Sequence, residues 1–84
     1  MDFSVVEKAG LTYTNLADIM GVSKGRVSQW KQVPPAPLSE KYDRLNRVLT
    51  ILSKAIASGK LPLGNMNRAK REVVAEKIKE KLAG

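Results

Sequence analysis

Cysteine and histidine are absent from the 84 residues of this chain, and aromatic side chains are few: one Trp, one Phe and two Tyr. Without cysteine there is no disulfide framework and no thiolate metal site, which fits a reducing interior. With histidine missing as well, scattered carboxylates are the only candidate metal ligands, and the most frequent general base and the thiol nucleophile are lacking. Glu72 and Glu76 stand at helical spacing, as paired carboxylates would, yet Arg and Lys flank them. No phosphate-binding loop of the GxxxxGKS kind occurs. Catalysis, a cofactor, a bound metal and a small-molecule substrate are therefore not expected. No apolar run approaches the roughly 20 residues that cross a bilayer, and the first residues lack the basic-then-apolar order of a signal peptide. The expected setting is the cytoplasm.

Acidic side chains are also scarce. Fifteen Lys and Arg stand against eight Asp and Glu, a formal charge of +7 with a pI near 10.0. Such a balance favours polyanionic partners: DNA, RNA or an anionic membrane. A merely soluble basic domain has the same composition, so the placement of charge matters. Residues 1–33 carry a net +1, and residues 34–60 and 61–84 carry +3 each. A chain this short suits one small domain, residues 1–84, whose marginal core buries only about 60–65% of the unfolded surface.

The patterning is helical throughout, with no convincing alternation of strand type. "DFSVVEKAG" is expected to form a short helix capped by Asp2 or Ser4 and stopped by Gly10, with Phe3, Val5, Val6 and Ala9 as apolar contacts. In "LTYTNLADIM", Thr12 suits an N-cap, and Leu11 and Leu16 occupy the two positions of a hydrophobic staple. Leu16, Ile19 and Met20 share a face, and Gly21 can take the left-handed conformation that ends a helix. The pattern then repeats: Ser23 as cap, Val22 and Val27 as staple, Val27 and Trp30 on one buried face. Lys24, Gly25, Arg26, Ser28 and Gln29 point elsewhere, and none is large and apolar. "VPPAP", residues 33–37, is a stiff link that cannot continue the helix.

Leu38 to Ser58 is the longest helix expected, capped by Ser39 and stopped by Gly59. Leu38, Tyr42, Leu45, Leu49, Leu52 and Ile56 step by four and three, a heptad seam that Val48, Ile51 and Ala55 widen. After a turn-rich "GKLPLGN", Met66 to Leu82 forms a last helix. Val74, Ile78 and Leu82 make a narrow apolar ridge, and its Glu and Lys residues suggest a solvated face with weak ion pairs.

In the hairpin of residues 12–32, Ala17 is small where two helices would cross and Gly21 turns the chain. Leu16, Met20, Val22, Val27 and Trp30 would cement the pair. Such a device can hold a polar helix at a fixed angle for entry into the major groove. "TNLADIMGVSKGRVSQW" resembles the helix-turn-helix of the phage repressor and Cro-type family, without a gap. The helical patterning predicts an all-α domain of about five helices with a long fourth and a C-terminal helix. The resemblance implies that the domain is of helix-turn-helix type, although that family usually carries short helices where the long one stands here. The resemblance also implies sequence-specific binding of double-stranded DNA, in a bacterial host cell and on the nucleoid when bound.

By that resemblance Lys24, Gly25, Arg26, Ser28 and Gln29 would face bases, with Arg26 or Lys24 suited to guanine and Gln29 to adenine. Tyr13, Thr14, Ser23 and Lys31 would touch the phosphate backbone. Trp30 as a base-stacking platform and Tyr42 as a nucleotide contact are weaker readings than core positions. A domain this small is expected to leave apolar surface over, so Leu45, Leu49, Leu52, Ile56, Val74, Ile78 and Leu82 are candidates for pairing a homodimer. The chain is then expected to act as a transcriptional regulator by occupying its operator. Alternatives are a recombination, replication or architectural accessory protein, and a helical protein-interaction adaptor. A membrane-surface role for the last helix is disfavoured by its thin apolar stripe without aromatics.

Overall fold

In the computed structural model, which describes residues 1–83, five helices follow one another without strands among the described residues. They are α1 (Ser4–Lys8), α2 (Tyr13–Met20), α3 (Lys24–Gln32), α4 (Glu40–Ala57) and α5 (Arg68–Ala83). Each start has a polar anchor. The Asp2 carboxylate accepts from the Ser4 hydroxyl and, at 2.9 Å, from the Ser4 amide, and these bonds, the hydroxyl's foremost, hold its pKa below the ordinary aspartate value. The Thr12 hydroxyl accepts from the Asn15 amide, and the Asn15 side chain accepts in return from the Thr12 amide at 3.0 Å. This is a capping box with Asn in the place usually held by Glu or Gln. Ser39 accepts from the Tyr42 amide at 3.1 Å, and the Asn67 side chain from the Lys70 amide at 2.9 Å.

The middle of the fold is α2. It packs against α3, α4 and α5, while α4 also carries α1 and meets α5. One apolar cluster results, with contributions from all five helices. No polar or charged side chain is buried in it, and among the described residues no buried side-chain polar atom lacks a partner. Two arginines tie backbone at its edge. Arg44 donates to the Ile19 carbonyl at 3.0 Å, satisfying an acceptor in the last turn of α2, and Arg71 donates to the Met66 carbonyl at 2.8 Å. Met66 in turn lies over Gly10, whose φ is +82° and where a Cβ would come within 2.6 Å of the methionine side chain.

Two expectations are corrected. The first concerns the pairing candidates. Leu45, Leu49, Leu52, Val74, Ile78 and Leu82 are all buried within the single chain, and Ile56 is half-buried against the same cluster. Helix α5 folds back against α2 and α4, so these side chains belong chiefly to the core of a single chain.

The second concerns the start of the long helix. Leu38 lies outside α4, 96% exposed, with φ of +75°. The chain turns there between Pro37 and the Ser39 cap, so Leu38 keeps the heptad spacing in sequence but not in space. Likewise the last helix begins at Arg68 and not at Met66.

These positions predict opposite outcomes for two leucines. A domain of this size has a total stability on the order of 5–10 kcal/mol. Leu52→Ala, at a fully buried position, should cost about 2–5 kcal/mol in chemical denaturation. Leu38→Gly should instead stabilise the fold by about 0.5–1 kcal/mol, because relief of the left-handed conformation outweighs the added flexibility of the unfolded chain.

Candidate nucleic-acid interface

The hairpin is set by local chemistry at its turn. Gly21 takes φ of +68°, and the Val22 amide reaches back to the Ala17 carbonyl at 3.0 Å, closing α2 with a left-handed cap. Two residues later the Ser23 hydroxyl accepts from the Arg26 amide at 3.1 Å and opens α3. Leu11 and Leu16 are buried as the staple of α2; in the staple of α3, Val27 is buried and Val22 half-buried. Ala17, Met20 and Trp30 complete the clamp, all buried.

The rest of α3 faces outwards. Lys24, Gly25, Arg26, Ser28 and Gln29 are exposed on a helix whose only buried residues are Val27 and Trp30. The ion pairs among the described residues join Arg68 to Glu72 and Lys79 to Asp18 and Glu76, so the charges of Lys24 and Arg26 are uncompensated. With no acidic residue in the helix, the positive end of its dipole adds to theirs.

The residues expected at a phosphate backbone are distributed less simply. Thr14 is exposed and free to donate. Ser23 accepts the capping bond, which leaves its hydroxyl proton for an outside acceptor. The Lys31 ammonium sits 4.4 Å from the centre of the half-buried Tyr13 ring, a cation–π contact that fastens the end of α3 to the start of α2. Tyr13 and Lys31 thus form one cationic corner, which single-residue reading of the sequence does not reveal.

Sequence reasoning also missed Gln32, Val33 and Pro34. With Arg26, Gln29 and Trp30 they line a wide, shallow depression of about 400 Å³ beside α3, and Val33 is 73% exposed. Part of the signal was available, since a proline pushes the residue before it out of the helical conformation, and Val33 leaves α3 with an extended backbone.

The hairpin is also braced from behind. Lys79 of α5 bonds Asp18 of α2 at 2.9 Å and Glu76 at 3.2 Å, and these carboxylates, Asp18 foremost, raise its pKa above the ordinary lysine value. Among the described residues no group of three His, Cys, Asp or Glu side chains could hold a metal ion, and no helix is long and apolar enough to cross a membrane. No protein-family model, curated protein or solved structure matches the chain.

Gly25 has no role within the fold. A Cβ there would meet nothing closer than the Ser23 hydroxyl at 3.8 Å, an ordinary contact. Gly25→Ala is therefore expected to stabilise the protein by about 0.5–1 kcal/mol through helix propensity. Ser23→Ala is expected to cost about 1 kcal/mol through the lost cap. Thermal or urea denaturation of the two variants checks both signs.

Proposed function

We propose that this chain binds double-stranded DNA sequence-specifically through α3 and acts as a small transcriptional regulator, of the phage repressor or Cro type, by occupying an operator. One observation carries the reading: α3 buries only Val27 and Trp30 and turns an unpaired, cationic, small-residue face to solvent. A face so poor in apolar contacts adds nothing to the core, and its donors match base edges. Arg26 or Lys24 can donate to guanine O6 and N7, and Gln29 can pair with adenine N6 and N7. Val33 and Pro34, beside Gln29, offer an apolar contact to a thymine methyl group. Gly25 would let the backbone approach the duplex where a side chain would hold it off. Thr14, Ser23 and the Tyr13–Lys31 corner flank this face and would fix its register on phosphates.

The mechanism involves no bond-making. Occupancy of a site excludes or recruits other proteins, and affinity comes from phosphate neutralisation while choice comes from base contacts. A palindromic operator would be met by a homodimer with half-sites about 34 Å apart, one helical turn. That pairing would have to use exposed surface, since the seam and ridge belong to the core of each chain.

Selection of bound sequences from a random duplex pool, followed by titration at several salt concentrations, tests the proposal. A defined site should emerge, with affinity falling steeply as salt rises. Gln29→Ala should cost about 1–3 kcal/mol on the selected site and relax one base position. Gly25→Ala, though more stable, should bind that site more weakly. An enriched pool without a consensus would replace the regulator by an architectural accessory protein. Salt-independent or absent binding would remove the DNA reading.

A further inference from the structure

On α4, α5 and the connector between them lies a second surface, sharing no residue with α2 or α3. It is a groove of about 230 Å³ lined by Ile51, Leu61, Leu63, Val73, Val74 and Ile78. Leu63 and Val73 form its lips, 39% and 52% exposed, and are two of the few large apolar residues that the fold leaves in water. Every charged residue along the groove is a lysine: Lys60, Lys77 and Lys81. The carboxylates of α5, Glu72, Glu76 and Glu80, border an adjoining depression that meets the groove at Val73 and Lys77, and none of them lines the groove itself. The three lysines enter none of the ion pairs among the described residues.

The volume lies below the roughly 300–1,000 Å³ of sites that enclose a small molecule. It suits one or two large apolar side chains presented by a chain segment, and the lysine rim selects the charge around them. We propose that this groove docks an acidic amphipathic segment of another protein, with apolar anchors between Leu63 and Val73 and flanking Asp or Glu side chains against Lys60, Lys77 and Lys81. Helix-in-groove recognition of this kind takes its strength from the anchors and its selectivity and speed from the charges. The inference is independent of the DNA reading. Because α3 takes no part, the groove stays open when the reading face is occupied.

Three short fluorescein-labelled helical peptides with the same leucines at i, i+3 and i+4, and with all-Glu, all-Gln or all-Lys flanks, are titrated by anisotropy against the full chain. The Glu peptide should bind, the Gln peptide about tenfold more weakly and the Lys peptide not at all. Lys77→Glu with Lys81→Glu should reverse the preference, losing the Glu peptide and gaining the Lys peptide, with circular dichroism and DNA affinity unchanged. Val73→Glu, at an exposed position, should abolish binding of the Glu peptide. Equal binding of Glu and Gln peptides would overturn the proposal. So would loss of peptide binding on Lys24→Glu with Arg26→Glu alone, which would place the peptide on α3. A drop in DNA affinity in the Lys77/Lys81 variant would make the rim a phosphate contact instead. Sedimentation showing a dimer that Val73→Glu dissolves would make a second copy the occupant.

Discussion

The fold depends on the burial of α2 by α5. An eight-residue helix has little stability of its own, because nucleation costs more than two turns of hydrogen bonds return. What holds α2 is the apolar surface closed over it by α3, α4 and α5. Since α3 is held mainly through α2, the angle of the outward polar face is set by a helix that begins at Arg68, 36 residues beyond the end of α3 at Gln32. The Lys79–Asp18 and Arg44–Ile19 bonds fix the register of this packing at its rim. Inside, the core has no polar group that could do so.

Much of this is legible in the sequence wherever the signal is local. Caps, staples and the Gly21 turn rest on contacts within four or five residues, and those of α2, α3 and α4 form where their patterns stand. The N-cap of α1 instead falls on Phe3, between the expected Asp2 and Ser4, without a side-chain capping bond. Asn15 shows the limit of such patterns, because the capping box tolerates an amide that the usual Glu or Gln rule passes over. Long-range partners are another matter. The ridge of α5 has a clear period, but nothing in a period says which helix it will meet. Counting apolar residues against chain length suggested surplus surface only because the bare back of the hairpin was left out. Leu38 fails for a related reason: spacing is conserved along the chain even where the backbone turns out of the helix.

The candidate site was legible as a set of exposed side chains, since polarity at helical spacing predicts exposure directly. Its internal arrangement was not. Lys31 on Tyr13 joins the two helices, a pairing visible only once both are placed. The cations thus divide by role. Arg44, Arg71 and Lys79 hold backbone or carboxylates of the chain itself, while Lys24, Arg26 and the three groove lysines meet no opposite charge within it. The net charge is therefore a poor measure of what is available to a partner, and its distribution over two separate faces is the more informative property.

Trp30 has a use beyond packing. It is the only tryptophan in the chain, and it is buried under the helix whose opposite side faces solvent. Its emission therefore reports the seating of α3 without a label. A red shift would register undocking of α3 from the rest of the protein, even while the longer helices keep the far-ultraviolet signal nearly whole.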